Sequence, residues 1–256
     1  MKLKFLLAGM AISMFTITSC HKDEPASPPT NNPANSKRLV KVTKTEAGVA
    51  TVFNLSYDSN NKLLSYRSAD NSEYVIFTYD TQGNLTGIED LEKDFKNIYE
   101  YTYTNNEPAT GTFKSWQVVG GQPTQMIEDD LLTYTVNNNQ VSKIKLEMLQ
   151  TGDELNMQLT YTGGNLTRVM SEGQVTYTAD FGFGTHRPAF PKVSKFVLDQ
   201  AGFSLQFASN NDILSASYDF PGTSFDRQIN TNYTYDSNGY VLTADDGTAQ
   251  MVFEYQ

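Results

Sequence analysis

His186 is the one imidazole in the part of this chain that can fold, since His21 falls in a proline-rich, polar segment. A Ser–His–Asp arrangement would have to recruit it, and no Gly-x-Ser-x-Gly elbow is present to carry the nucleophile. Transition metals need clustered His and Cys, and the chain has two His and one Cys. Calcium takes oxygen ligands instead. Asp58-Ser59-Asn60 and Asp236-Ser237-Asn238-Gly239 look like fragments of a calcium loop, yet both lack the further acid downstream. Asp and Asn also form turns by bonding their own backbone, which accounts for both stretches without a metal. Glu128-Asp129-Asp130 places three carboxylates ahead of a strand starting at Leu131. Paired carboxylates hydrolyse glycosides, but this run reads as a solvated turn. Trp116, the single tryptophan, could stack on a sugar ring; packing against a sheet is the commoner role. The expectation is no catalytic residue, no metal and no cofactor.

The remaining reactive side chain is Cys20, the only cysteine. Lys2 and Lys4 precede eleven residues, Phe5 to Phe15, that are mostly apolar. A positive start and a short apolar core make a secretory signal, and a spanning helix would need roughly 20 apolar residues. Ile17-Thr18-Ser19-Cys20 resembles the bacterial lipobox. That resemblance implies cleavage before Cys20, a diacylglycerol on its sulfur and an acyl chain on its freed amine. Two or more chains hold a protein firmly to a bilayer. Lys22-Asp23-Glu24 behind the cysteine resembles the surface-export signal of Bacteroidota lipoproteins. The implied address is the outer membrane, lipid-anchored and facing the cell exterior, with the periplasmic face as the alternative.

Residues 25–36 contain four prolines and no large apolar side chain, so they cannot bury a core and serve as a spacer. The chain therefore divides into a signal peptide (1–19), a tether (20–36) and one folded body (37–256). Net charge is −10, which argues against nucleic acid as a partner because phosphate neutralisation needs a basic surface. Without cysteine, the body must be held by an ordinary core.

What must position any chemistry is a repeat. Tyr79 is followed by the polar run Asp80-Thr81-Gln82-Gly83-Asn84, then Leu85 at +6 and Ile88 at +9. Tyr57 repeats this with Leu63 and Tyr66, Phe207 with Ile213 and Ala216, and Tyr235 with Val241 and Ala244. Val136 (Val141, Ile144) and Tyr161 (Leu166, Val169) do so one residue shorter. Tyr57 to Tyr79 is 22 residues, Tyr79 to Tyr103 is 24 and Val136 to Tyr161 is 25, a period that fits one hairpin and its return turn. Alternation puts Val75, Phe77 and Tyr79 on one face, and Tyr99, Tyr101 and Tyr103 on another. The stretch 89–97 reads as strand, turn and strand with its tip near Glu92-Lys93-Asp94. Residues 181–192, with two glycines and two prolines, break any regular strand; they form a functional loop or a crossover.

The frames Tyr79-Asp80-x-x-Gly83-Asn84-Leu85 and Tyr235-Asp236-x-x-Gly239 resemble the tyrosine–aspartate (YD) repeats of Rhs-type proteins. Closer still are Bacteroidota lipoproteins of unknown function with such hairpins behind a lipobox. Tyr57-Asp58 keeps the dipeptide with Asn61 in place of Gly, while Tyr161, Val136 and Phe207 lack the Asp. No catalytic residue comes with this resemblance.

The predicted fold is all-β: an antiparallel meander of about 12–16 hairpin strands, strongly twisted, curled or barrel-like. Its aromatic faces would pack against a curled-over part of the same sheet. The predicted function is a non-enzymatic surface lipoprotein that binds or scaffolds a protein or glycan partner. The alternatives are a glycan-processing enzyme, or a carrier of an apolar ligand in a half-barrel. An outer-membrane pore is disfavoured because strands of six or seven residues are too short to span.

Overall fold

The computed structural model describes residues 37–199 and 204–256. The signal peptide, Cys20 and the tether lie outside these residues. Seventeen strands follow in chain order. They are β1 (Leu39–Glu46), β2 (Val49–Tyr57), β3 (Leu63–Ser68), β4 (Tyr74–Tyr79), β5 (Leu85–Leu91) and β6 (Phe95–Thr104). Next come β7 (Glu107–Val119), β8 (Gln122–Asn137), β9 (Gln140–Met148), β10 (Asp153–Thr162), β11 (Asn165–Gly173) and β12 (Tyr177–Phe183). One helical turn, α1 (Leu205–Ala208), precedes β13 (Ile213–Asp219), β14 (Arg227–Asn230), β15 (Asn232–Tyr235), β16 (Val241–Asp245) and β17 (Ala249–Tyr255).

Every ladder is antiparallel. β1 to β14 pair successively, β15 pairs β16, β16 pairs β17, and β17 returns to β1. The result is a barrel-like meander with one unsealed seam. There β14 pairs with β13 and β15 with β16, and the two are joined through Thr231 by the chain rather than by a ladder. This interruption brings the strand number to 17, one above the predicted range.

Register explains the +6/+9 pattern. Residues three apart on a plain strand would face opposite ways. At each hairpin of one rim the return strand carries one extra residue opposite the anchor, a bulge that restores the shared face. Thus Tyr57 faces Leu63 while Ser56 faces Ser65, with Leu64 left over. Thr86, Ala109, Ser142, Thr167, Leu214 and Leu242 are the corresponding extra residues elsewhere. Seven bulges at one level add twist at each corner and curl the sheet into a ring. We call this the turn rim.

The Tyr-Asp frames have a physical role there. Asp80 Oδ1 accepts from the N–H groups of Gln82 and Asn84 at 2.9 and 2.8 Å. Asp58 and Asp236 accept from their own turns in the same way. The residue three beyond each Asp has positive φ, which Gly83 and Gly239 adopt without strain and Asn61 tolerates. The anchor hydroxyls stitch neighbouring hairpins: Tyr79 donates to the Leu63 carbonyl at 2.8 Å and Tyr103 to the Leu85 carbonyl at 2.9 Å.

Phe207 departs from the sequence expectation. It is no strand anchor but part of α1, and Phe183 occupies the anchor position, paired with Ile213. Phe183 lies 22 residues beyond Tyr161, so the period is kept. The turn of that unit is expanded into a long insertion from Gly184 to Asp212. Its mouth is pinned by Gly184 N–H to Asp212 O at 2.9 Å, by His186 N–H to Asp212 Oδ1 at 2.9 Å and by the Tyr235 hydroxyl to Asp212 Oδ2 at 2.6 Å. A Cβ on Gly184 would overlap the Asp212 carboxylate, so glycine is required there.

This insertion folds into the ring as a plug. Phe190, Val193, Phe196, Val197, Leu198, Leu205 and Phe207 are all buried. Phe207 meets Phe77 edge-on at 5.0 Å, Phe190 meets Tyr66 and Phe253, and the Tyr134 hydroxyl donates to the Leu198 carbonyl at 2.6 Å. The inward aromatic faces therefore pack against the plug and not against a curled-over part of the sheet. Fully burying such side chains contributes about 1.5–3 kcal/mol each. These side chains occupy the interior of the ring.

The outward faces are mainly polar, with Leu64, Met126, Met170, Leu214, Leu242 and Val252 exposed singly among them. Ion pairs join Lys41 to Glu254, Lys96 to Glu89, Lys145 to Glu154 and Arg168 to Asp180, and the hydroxyls of Thr102 and Thr110 meet across two strands. Strands β6 to β11 run 9–16 residues, whereas β3 to β5 and β12 to β17 run four to seven, so the expected short strands make up only part of the ring. Their faces are nonetheless the inverse of a spanning barrel, which is apolar outside and polar within.

Candidate functional site: an acid-lined cavity at the far rim

Opposite the turn rim, the interior ends in a cavity of about 600 Å³. Its floor is the plug, through Phe190, Gln206 and Phe207, and its walls include the aromatic side chains of Phe53, Tyr66, Tyr74 and Phe95. Phe53 and Tyr66 stack with ring centres 4.4 Å apart. Glu46, Glu73, Asp90, Glu92 and Asp94 supply carboxylates, with Lys44 and Lys93 among them. Most come from the ends of β1 and β5 and from the loop that leads into β4.

Asp90 belongs to a polar row running across four strands. Cross-strand register aligns Asp90 with Asn97, Asn97 with Ser115 and Ser115 with Glu128. Asn97 Nδ2 donates to Asp90 Oδ2 at 3.0 Å, and the Ser115 hydroxyl donates to Asn97 Oδ1 at 2.7 Å. Glu128 Oε1 is buried with no hydrogen-bond partner.

Burial sets the electrostatics of this end. It pushes the Asp90 and Glu92 carboxyls up; at Asp90 the Asn97 hydrogen bond opposes this and Glu73 adds to it, and at Glu92 the Asp90 charge adds to it, Lys44 opposes it, and Glu73 and Glu46 add further. Burial, then repulsion from Asp130, pushes Glu128 up to about 8, and burial, then Asp129, pushes Asp130 up to about 7. In a neutral medium part of this set is protonated, so the rim can donate as well as accept hydrogen bonds.

The reading of Glu128-Asp129-Asp130 as a solvated turn is thus corrected. These residues lie within β8, where Asp129 faces outward while Glu128 and Asp130 face the interior. Alternation with Leu132 and Tyr134, both buried, was the available signal. The same rule puts Asp90 on the face of Ile88.

The other sequence candidates do not converge here. Trp116 is half-buried on the outward face of β7, cross-strand from Lys96 and Met126. His186 lies at the turn rim, stacked on Tyr235 with ring centres 3.8 Å apart. Asp58 and Asp236 accept from their own turns, as described above, and the second oxygen of Asp236 pairs with Lys37. Among the described residues no group of three or more His, Cys, Asp or Glu could hold a metal ion. Cys20 lies outside those residues.

No family model matches the chain, and no curated protein matches it. A solved structure does. The crystal structure of a porin-like protein from Bacteroides vulgatus ATCC 8482 superposes with a TM-score of 0.56 at 11% identity, covering 86% of this chain and 99% of that one. At this identity the likeness is one of fold. It agrees with the barrel-like ring.

Proposed function

We propose that this chain is a lipid-anchored cell-surface module that binds a glycan in the far-rim cavity without a catalytic role. The carrying observation is the cavity itself: about 600 Å³, with stacked aromatic walls and carboxyl groups able to donate and accept. Sugars need apolar faces for their rings and mixed polar partners for their hydroxyls. Lys37, where the tether would join, sits at the turn rim against Asp236, so an anchor at Cys20 leaves the far rim facing outward. The polar outer surface supports attachment through acyl chains rather than through the strands. The porin-like neighbour is compatible with work at a membrane. Glycan-array screening of the full chain, followed by titration of any captured oligosaccharide, tests the site. Glu73→Gln and Glu92→Gln should each weaken binding by about tenfold. A silent array, or binding indifferent to both substitutions, refutes the reading. Globomycin-sensitive processing and labelling with acyl precursors test the anchor.

One observation favours a second reading, hydrolysis of the bound glycan. Burial pushes Glu92 up to about 8, so it keeps its proton near neutral pH as a general acid requires, while Asp90 beside it, pushed up to about 6, is mostly ionised there. Release of new reducing ends by the wild-type chain and its abolition in Glu92→Gln would establish it.

A further inference from the structure

A second cavity, of about 590 Å³, opens at the turn rim. Phe190 lines both cavities, so the plug is the partition between them. The two ends are sorted by charge. Lys37, Arg38, Arg187 and Lys192 line the turn-rim cavity and no acidic side chain does. The far cavity is the reverse: five carboxyl groups line it against Lys44 and Lys93. Lys44 is already paired with Glu46 at 2.8 Å. That leaves Glu73, Asp90, Glu92 and Asp94 with Lys93 among the lining side chains to balance them. Glu73, Asp90 and Glu92 lie within electrostatic reach of one another. Asp90 is only 4% exposed. Its Oδ2 accepts from Asn97, and its Oδ1 has no hydrogen-bond partner among the described residues, so that oxygen is left for an occupant of the cavity. Pushed up to about 6 by burial, Asp90 is mostly ionised in neutral solution, and a cation beside it favours that form further. No group of three acids among the described residues could hold a metal ion, so the excess negative charge is spread too widely for one. It fits a larger organic cation, which the aromatic walls also attract through their ring faces.

We infer that the glycan taken by the far cavity carries a free amino group, seated as an ammonium beside Asp90 with its sugar ring against the aromatic wall. The inference rests on the glycan reading above and adds the charge of the ligand to it. An ammonium offers three N–H donors, and its bonds to carboxylates are stronger than those of a neutral hydroxyl. The same excess of acid repels glycans that carry uronic acids or sulfates.

Calorimetric titration of the full chain with short chitosan oligomers, built of glucosamine, and with cellulose oligomers of the same length, built of glucose, tests it. The two share a linkage and differ in an amine for a hydroxyl on each ring. At about pH 6.5 the sugar amine is charged, as an α-amino group is. The glucosamine oligomer is expected to bind about tenfold or more tightly than the glucose oligomer. Asp90→Asn keeps the shape of the side chain and an acceptor for Asn97. It should bring the glucosamine oligomer down to the affinity of the glucose oligomer and change the latter by less than about twofold. The comparison of the two sugars on the wild-type chain stands whether or not this variant folds. Equal binding of the two, or a preference that survives Asp90→Asn, overturns the inference and leaves the glycan reading in place. Binding of neither overturns the inference, and capture of any other glycan on the array decides the broader reading separately.

Discussion

The two rims are made by the same strands and end in opposite chemistry. At the turn rim, carboxylates such as Asp58, Asp80 and Asp236 accept from their own turns, and the cavity beside them is lined by cations. At the far rim, acids sit on inward strand positions with few donors facing them, and Glu128 has an oxygen with none. An acid one residue past an anchor tyrosine stabilises a hairpin. An acid carried inward on a strand is desolvated and held partly protonated. Position in the repeat, not abundance of charge, decides which role a carboxylate takes.

The sharpest way to break this comparison is to remove the partition. Phe207, 2% exposed, joins Phe77 and Phe190 beneath the far cavity. Phe207→Ala should cost about 3–5 kcal/mol in equilibrium urea denaturation. A loss below about 1 kcal/mol would mean that the plug contributes little to the ring.

Next in size is the pH dependence of the far rim. The Glu128 carboxyl titrates near 8 in the folded chain and near its ordinary 4.5 when unfolded. The folded state therefore holds the proton longer, and this group costs nothing below pH 4.5. Its penalty grows as pH rises through 4.5 to 8. Glu128→Gln should leave stability at pH 4 unchanged and raise it at pH 8.5 by about 2–4 kcal/mol. Parallel pH profiles for the two proteins would show that Glu128 is solvated.

The smallest effect separates two tyrosines of the turn rim. Tyr103 donates to a carbonyl, whereas the buried Tyr161 hydroxyl has no partner. Tyr103→Phe should lose about 1 kcal/mol, and Tyr161→Phe should be neutral or slightly stabilising. Equal losses at both positions would deny the stitching role of the anchor hydroxyls.

Much of the ring was legible in the sequence. Alternation, Asn/Gly corners and the 22–25-residue spacing of anchors gave an antiparallel, barrel-like meander, and the tip at Glu92-Lys93-Asp94 lies between β5 and β6. Local patterns fix such features because a hairpin is made by neighbours in the chain. The plug was not legible. Phe207 stands six residues before Ile213 by coincidence, and the pairing of Phe183 with Ile213 across the insertion leaves only the 22-residue spacing from Tyr161 as its trace. The candidate site was half legible. Period two places Asp90 and Glu128 inside, but their alignment in one row depends on the register of four strands. Aligning them takes bulge positions that composition does not reveal.

An insertion at one corner has a consequence for how such a shell could be varied. Because Phe183 and Ile213 close their hairpin as the other anchors do, the ring registers only that the corner is closed, whatever length hangs from it. The same casing could accept a different filling at that point, and both compartments would change lining together while the outer wall stayed as it is.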